Sequence, residues 1–307
     1  MSRRPARRAG LTPSGAGPRA RRALDDLADD LVDAGSREHY RDAALYDYEY
    51  RRRRADVSFY RELARQRLGT GGRILELGAG SGRVSIPLAR DGHTVTALDQ
   101  SAPMLAKLRT RAAALPAAVA PRLAVVAGNL LDFKLPKPLA APYPLVIAAF
   151  NVLEHLYTRV EVAACLARVA TYLAPGGAFA FDVQLPDLTW LARDPEKRWA
   201  RTRFTDPTTG RPMLYSTNHD YDPVGQIALI RLYYEPADGG PGPRTIVKLS
   251  QRKFFPAELE ALVSHAGFRV VGHFGDFSFA PLSASAESQV LVCERAPIRR
   301  RKSPPRR

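Results

Sequence analysis

Three glycines at alternating positions, Gly78, Gly80 and Gly82, follow a short apolar segment and precede a helical pattern. Glycine lets the backbone turn sharply and come within contact distance of a ligand, and the start of a helix offers unpaired amides. Asp99 ends the next apolar segment, where neighbouring strand ends of a doubly wound sheet open a crevice. Because a carboxylate there can accept both hydroxyls of a ribose, the spacing predicts a site for a nucleoside-containing ligand.

The glycine spacing separates two classes of such ligands. A dinucleotide fingerprint GxGxxG that begins at Gly78 needs its third glycine at position 83, and that residue is Arg83. Glu76 fits poorly beside a pyrophosphate, because it adds negative charge to negative charge. It fits well near a cationic amino-acid head group. The pattern therefore argues against a dinucleotide.

The run of Glu76, Gly78, Gly80 and Gly82 followed by Asp99 resembles the class I S-adenosylmethionine-dependent methyltransferase family. The resemblance covers about residues 43–295 and implies a doubly wound, Rossmann-like α/β sheet of seven strands with the last strand antiparallel. It implies that Glu76 and the glycine turn contact the methionine part of S-adenosyl-L-methionine, and that Asp99 holds the ribose. The residues that it implies around the adenine are Gln100, Met104, Asn129 and Leu130.

Asn129 departs from the family pattern, which usually has an acidic residue facing the adenine amine. Its side-chain carbonyl can still accept that hydrogen bond. The alternative is a turn residue that caps its own backbone.

A second segment with candidate functional residues follows the fourth apolar run. It contains Phe150, Asn151 and His155. In the family this stretch meets the sulfonium end of the cofactor, and the face of the Phe150 ring suits a delocalised positive charge; its alternative role is core filler. A helical turn would put Asn151 and His155 on one face. His155 is then a catalytic base or substrate contact, with Asn151 beside it, or a structural histidine bonded to backbone. Glu154, on an adjacent face, is expected in solvent.

The segment before the sheet carries many aromatic residues, at 45–50 and 56–60. It resembles the cap of small-molecule methyltransferases, including the glycine N-methyltransferase type and amino-sugar N-methyltransferases. In those relatives a cap residue closes over the cofactor, and Tyr46 and Tyr60 are the candidates here. Either could instead be an amphipathic helix residue with its hydroxyl in water.

The elements that position these residues alternate between strands and helices, which predicts a parallel, doubly wound sheet. Apolar runs predict strands at 74–77, 94–98, 123–127, 144–150 and 178–183, and helical spacing predicts helices at 83–90, 102–115 and 159–173. Strands rich in Tyr, Ile, Val and Thr at 214–221, 226–234 and 245–254 predict an antiparallel insertion at about 186–255. We expect this insertion to wall the acceptor pocket or to build a dimer contact. A helix at 256–266 and strands at 268–274 and 289–293 complete the pattern.

Charge and composition set the domain boundaries. The chain has 307 residues and a formal net charge of +15, but residues 1–22 hold seven Arg and residues 298–307 five Arg and one Lys, without acids. The nearly neutral body between them predicts disordered basic tails at 1–22 and 299–307, a helical cap at 23–72 and a methyltransferase domain at 73–298. Two distant cysteines predict buried thiols and no metal site. The lack of a signal peptide or membrane span predicts a cytoplasmic enzyme.

The sequence therefore predicts methyl transfer from S-adenosyl-L-methionine to a small-molecule acceptor. The cap resemblance alone favours N-methylation over O-methylation. An RNA or protein methyltransferase guided by the Arg-rich tails is one alternative, although no [DN]PPY motif follows the fourth strand. A non-catalytic module that binds S-adenosyl-L-methionine is another. Acceptor identity and homo-oligomer formation stay open.

Overall fold

The computed structural model describes residues 30–242 and 244–297. The predicted basic tails at 1–22 and 299–307 lie outside the described residues, as does the start of the predicted cap. Within the described ranges, no helix is long and apolar enough to cross a membrane.

The cap consists of three helices: α1 at 30–37, α2 at Ala43–Tyr50 and α3 at Ala55–Leu68. A 3-10 turn at Glu38–Tyr40 connects α1 to α2. Helix α2 begins where the Asp42 side chain accepts hydrogen bonds from two backbone N–H groups of the first turn, which satisfies donors that have no partner within the helix. The charged run at 51–54 separates α2 from α3, as the sequence predicts.

The central sheet has seven strands and the order β10-β11-β5-β4-β1-β2-β3. Its first five strands and the helices between them are β1 (Arg73–Leu77), α4 (Ser85–Arg90), β2 (Thr94–Asp99), α5 (Ala102–Ala113), β3 (Leu123–Ala127), β4 (Tyr143–Ala148), α6 (Arg159–Tyr172) and β5 (Leu173–Gln184). The last three elements are α8 (Pro256–His265), β10 (Phe268–Phe274) and β11 (Ser288–Arg295). Because β11 runs antiparallel to both neighbours, the predicted fold class is confirmed.

Both faces of this sheet are covered, which is why its central strands are mostly apolar. One core cluster joins the sheet to α6 and α8, and the other joins it to α3, α4 and α5. Cys165 and Cys293 are buried free thiols within the first cluster, as the sequence predicts. Each fully buried aliphatic or aromatic side chain contributes about 1.5–3 kcal/mol relative to exposure, so the two clusters hold the strand ends rigidly in place.

The insertion forms a separate antiparallel sheet of four strands, where the sequence predicts three. A short helix α7 (Leu188–Leu191) precedes β6 (Trp199–Thr205), β7 (Pro212–Asp222), β8 (Ile227–Pro236) and β9 (Thr245–Arg252). Strand β6 is missing from the prediction because nearly all of its side chains are exposed, so it has no apolar alternation. The inner face of the sheet packs against Leu45 of α2 and Trp190 of α7. Helix α2 therefore lies against the insertion.

Candidate active site

The three glycines of the turn have positive φ angles of 67°, 55° and 87°, which a glycine adopts without strain. Their surroundings differ. A Cβ on Gly78 would overlap the Val152 side chain, and one on Gly82 would overlap Leu108, so these two glycines permit close packing. A Cβ on Gly80 would meet nothing within 4 Å. Gly80 is therefore the glycine that borders open space, as the approach of a ligand requires.

Asp99, at the end of β2, lies directly against this turn. Its two carboxylate oxygens accept hydrogen bonds from Gly80 N and Ser101 N, each at 2.7 Å. A carboxylate has about four lone-pair sites, so Asp99 keeps acceptor capacity for a diol. Burial raises the pKa of Asp99, and the backbone N–H donors oppose that shift. The carboxylate is thus held in place beside the open side of Gly80.

Glu76 lies within β1 and is almost fully buried. The Ser85 hydroxyl donates a hydrogen bond to its carboxylate. Burial raises the pKa of Glu76 to about 7, with the Ser85 bond and nearby Arg83 opposing the shift. A buried carboxyl group next to the glycine turn is a suitable partner for a cationic amino group.

On the predicted adenine side, the Asn129 side chain is already hydrogen-bonded within the protein. Asn129 Oδ1 accepts a hydrogen bond from Leu131 N at 2.9 Å, so Asn129 caps its own turn, the alternative considered for it above. Its Nδ2 donates to Gln100 Oε1 at 3.2 Å, which keeps the two predicted adenine neighbours together. Met104 is buried on α5, and Leu130 is half-buried against the core. Asn129 can offer an adenine amine only the second lone pair of its carbonyl oxygen.

Phe150 and Asn151 follow β4 with φ angles of 70° and 60°, a conformation that costs about 1–3 kcal/mol for each non-glycine residue. The buried Asp182 of β5 offsets this strain, because its carboxylate accepts from Phe150 N at 2.8 Å and Asn151 N at 3.2 Å. The Tyr60 hydroxyl donates to the same carboxylate at 2.7 Å. This corrects the prediction for Tyr60, which is fully buried and supports Asp182 from within the core instead of closing over the cofactor.

Sequence reasoning missed Asp182, although a signal was present. It is the only acidic residue of the apolar strand predicted at 178–183, which belongs to a doubly wound sheet. A carboxylate at such a position must find donors, and here it finds two backbone N–H groups of the site and one phenol. Asp182 therefore determines how Phe150 and Asn151 are presented.

Aromatic rings surround Phe150. The ring centroids of Tyr50 and Tyr46 lie 4.8 and 6.5 Å from its own, so both cap tyrosines lie beside Phe150. The Arg83 guanidinium lies 4.5 Å from the Phe150 ring centroid and forms an ion pair with the buried Asp56. Phe150 is thus part of an aromatic and cationic cluster beside the glycine turn.

The predicted pairing of Asn151 and His155 on one helical face is wrong, because residues Val152–His155 form a 3-10 helix with three residues per turn. Asn151 lines a cavity between the cap and the insertion, whereas His155 lies behind Tyr40, outside the lining of that cavity. The Tyr40 hydroxyl is 2.6 Å from His155 Nε2, and the Tyr157 hydroxyl is 3.3 Å from Nδ1. Burial lowers the pKa of His155 to about 4, so its ring is neutral near pH 7. The hydrogen-bond partners of the His155 ring are tyrosine hydroxyls. The alternative role, a structural histidine, had predicted backbone partners.

A cavity of about 1230 Å³ lies between the cap, the end of β4 and the insertion. Its aromatic side chains include Tyr40, Tyr46, Tyr50, Phe150, Trp190 and Tyr215. Strands β7, β8 and β9 contribute Thr217, Ile230, Leu232, Leu249 and Gln251, so the insertion walls this cavity. The volume is large enough for a small organic molecule.

Glu49 is the acidic group of α2 in this cavity. The Tyr234 hydroxyl donates to its Oε1 at 2.6 Å, and His39 Nε2 is 4.0 Å from Oε2. Burial raises the pKa of Glu49 to about 7, and it lowers the pKa of His39 to about 4. Sequence reasoning missed Glu49, because a Glu between two tyrosines of an amphipathic helix gives no sign of burial.

Helix α2 is also tied to the glycine turn. Ser81 Oγ donates to the Asp47 carboxylate, and Arg111 of α5 donates to Ser81 O at 3.1 Å. One helix therefore contacts the predicted cofactor side through Asp47 and the cavity through Glu49. The fold and site together define a Rossmann-like α/β protein with a nucleoside-type crevice and an adjoining aromatic cavity.

Several proteins to which this chain is similar are methyltransferases. Residues 75–179 match a family model described as a methyltransferase domain. The chain is 24% identical over 227 residues to a Streptomyces cypemycin N-terminal methyltransferase, covering 73% of this chain and 84% of that protein. The CcbJ methyltransferase from Streptomyces caelestis has a TM-score of 0.69 and 26% identity, covering 85% and 99% of the two chains. The glycopeptide N-methyltransferase MtfA in complex with S-adenosyl-L-methionine has a TM-score of 0.54 and 23% identity, covering 79% and 94%.

Residues 75–179 include the glycine turn, Asp99 and the strained turn after β4, so the matched domain contains the crevice described above. The chain is an S-adenosylmethionine-dependent methyltransferase, as the resemblance in its sequence implies.

Proposed function

We propose that this enzyme transfers the methyl group of S-adenosyl-L-methionine to a nitrogen atom of a small-molecule acceptor. The observation that carries this proposal is the acceptor cavity, which combines aromatic rings with the partly buried carboxylate of Glu49. Aromatic faces and a carboxylate attract a cationic amine, whereas a hydroxyl acceptor needs neither. Two relatives named above are an N-terminal methyltransferase and a glycopeptide N-methyltransferase, and they support the same choice.

The bases in the described cavity lining are weak, which also favours nitrogen: burial raises the pKa of Glu49 only to about 7 and lowers that of His39 to about 4. A hydroxyl acceptor needs a base to remove its proton. His155 is neutral, but both of its ring nitrogens face tyrosine hydroxyls and it lies behind Tyr40. A neutral amine already carries its lone pair. We therefore assign His155 the role of orienting Tyr40, and Asn151 a position at the acceptor.

Glu49 has the properties of an amine anchor. Its pKa of about 7 means that it is ionised in a substantial fraction of molecules at neutral pH. The ionised form attracts a protonated amine into the cavity, and it accepts the proton that the amine must lose before it reacts. The Tyr234 hydroxyl holds the carboxylate in position during both steps.

The cofactor supplies an activated methyl group on a positively charged sulfur. The chain's task is to align that group with the acceptor and to exclude water. We propose that Asp99 binds the ribose hydroxyls, that Glu76 faces the amino group, and that Gly80 allows close approach of the backbone. Gly78 and Gly82 shape the turn, Gln100, Met104, Asn129 and Leu130 surround the adenine, and Tyr46 and Phe150 lie against the methyl end.

The proposed domain division assigns these tasks to different segments. The cap at 23–72 covers the cofactor, the domain at 73–298 binds it, and the insertion at about 186–255 recognises the acceptor. The basic tails at 1–22 and 299–307 have no part in either step, which distinguishes this proposal from RNA or protein methylation guided by the tails.

The test is methyl transfer from labelled S-adenosyl-L-methionine to a panel of matched amines and alcohols, with the methylated atom identified by mass spectrometry and NMR. We expect amines to be methylated at least tenfold faster than the alcohols of the same carbon skeleton. Faster methylation of the alcohols would refute the choice of nitrogen. Tight cofactor binding without turnover of any probe would favour a non-catalytic binding module.

A further inference from the structure

A buried ion pair involves Lys253, which lines the acceptor cavity beside the Trp190 ring. Lys253 directly follows β9, and Glu154 lies in the turn after β4. Lys253 Nζ is 2.8 Å from Glu154 Oε2, and the two side chains are 2% and 0% exposed. This corrects the expectation that Glu154 lies in solvent. Burying two charges costs several kcal/mol per ion, so the pair must be held by further hydrogen bonds. Glu154 Oε1 accepts from Gln184 N at 2.7 Å.

The ammonium group of Lys253 has three hydrogen-bond donors and no acceptor. One donor is used by Glu154, and the other two by side-chain amide oxygens, Gln184 Oε1 at 2.5 Å and Gln251 Oε1 at 3.0 Å. The orientation of both amides follows from this chemistry, because only the oxygen of an amide can face an ammonium group. The NH₂ groups of Gln184 and Gln251 must therefore point away from Lys253.

Both glutamines line the main cavity, as Lys253 does. Among the described residues, neither Nε2 atom has a hydrogen-bond partner in the structure. Because both oxygens bond to one nitrogen atom, the two amides lie within a few ångströms of each other. Two neighbouring residues of the cavity wall therefore each carry an NH₂ group that is turned away from a buried cation and has no partner among the described residues.

We propose that the side-chain NH₂ groups of Gln184 and Gln251 bind a carbonyl oxygen of the acceptor. The enzyme then methylates an amine whose skeleton carries an amide or a similar uncharged carbonyl group. This inference rests on the proposed function, because it concerns the same acceptor cavity. The carbonyl is favoured over a carboxylate because Glu154 neutralises the charge of Lys253, which leaves dipoles and no net positive charge at this wall. Lys253 and Glu154 act as positioning residues.

The first experiment measures binding directly, with alaninamide as the probe and protein saturated with S-adenosylhomocysteine. The side-chain NH₂ resonances of Gln184 and Gln251 are assigned by NMR with the variants Gln184→Glu and Gln251→Glu. We expect alaninamide to shift both resonances, whereas isopropylamine, which has the amine but no carbonyl group, leaves them unchanged. No shift with alaninamide, or equal shifts with both probes, would overturn the proposal. A larger shift with alanine would assign the wall to a carboxylate instead.

The second experiment uses the same variants. Glutamate keeps the oxygen that faces Lys253 but has no NH₂ group, so the local network is retained and the donor is lost. We expect Gln251→Glu to weaken alaninamide binding about tenfold and to leave isopropylamine binding within twofold. Gln226→Glu, in the turn before β8, is the matched control and should change neither. Equal weakening of both probes would show that the amides do not recognise the carbonyl.

These outcomes are distinguishable from failure of the proposed function. Amide-dependent shifts without methylation of nitrogen would refute N-methylation and keep the donor pair. Methylation of amines at a rate that does not depend on the amide group would refute the donor pair and keep N-methylation.

Discussion

Replacement of Tyr60 by phenylalanine tests the support of the strained turn at Phe150 and Asn151. The change removes one hydroxyl and leaves the buried ring in place. That hydroxyl donates to Asp182 at 2.7 Å, and both residues are fully buried. A hydrogen bond to a charged group contributes about 1.5–3 kcal/mol, and a loss of that size lowers the Tm of a domain this large by about 3–5 °C.

The pH dependence makes the prediction specific. Burial raises the pKa of Asp182 to about 6, above the ordinary value of 3.8, while the Tyr60 hydroxyl and the backbone donors oppose the shift. Because the folded-state pKa is raised, Asp182 favours the folded state less as the pH increases towards and through 6. Loss of the Tyr60 bond raises the pKa further. The destabilisation by Tyr60→Phe is therefore largest at pH 8, where the carboxylate is ionised, and about half as large at pH 5.

The assay is chemical denaturation of the wild type and the variant at pH 5 and pH 8, together with calorimetric titration of S-adenosyl-L-methionine. Tyr172→Phe is the matched control, because the hydroxyl of Tyr172 accepts from Leu135 N and has no carboxylate partner. We expect its cost to be independent of pH. A pH-independent cost for Tyr60→Phe would refute the role of Asp182. A loss of cofactor affinity beyond about threefold would restore the sequence-based role of Tyr60 at the cofactor.

Three further predictions concern the cofactor, the acceptor and the tails. Asp99→Ala should weaken S-adenosyl-L-methionine binding about ten- to a hundredfold by calorimetry, since it removes charge-assisted bonds to the ribose. The control variant Asp206→Ala, in the turn before β7, should leave the affinity unchanged. Unchanged affinity in Asp99→Ala would refute the ribose assignment. Burial raises the pKa of Glu49 to about 7, so kcat/KM for an amine should increase with pH through 7. This increase in kcat/KM should disappear in Glu49→Gln. It should move to higher pH in Tyr234→Phe, because the Tyr234 hydroxyl lowers the pKa of Glu49. A pH dependence of kcat/KM that neither variant changes would exclude Glu49. Deletion of residues 1–22 and 299–307 should leave cofactor affinity and amine turnover within twofold, because salt screens exposed charges beyond about 8 Å. Loss of activity on RNA alone after this deletion would support the nucleic-acid alternative.

The sequence was sufficient to predict the central sheet. Its strands are apolar on both faces and its helices have regular spacing, so local pattern and burial agree. The glycine turn was also predictable, because a positive φ angle at positions 78, 80 and 82 favours glycine over all other residue types. The β-branched and aromatic runs of the insertion predicted three of its strands. Strand β6 was not predicted, because its exposed side chains show no alternation of apolar and polar residues.

Some positions that the sequence predicted needed the structure for their roles. Gly78 and Gly82 are required by packing against Val152 and Leu108, and only Gly80 borders open space. Tyr60 is an aromatic cap residue, the type predicted to close over the cofactor, but it lies in the core. His155 was predicted to share a face with Asn151, and the 3-10 geometry separates them.

The residues of the proposed acceptor site are brought together only by the tertiary structure. Glu49, Lys253 and the two glutamines come from a cap helix, the end of β5 and the insertion, and Asp182 reaches the turn after β4 from a neighbouring strand. Periodicity reports which face of an element is buried, but it does not report which distant element covers that face. The direction of a buried amide or carboxylate depends on the donors and acceptors that surround it, and those meet only when the cap and the insertion pack together over the sheet.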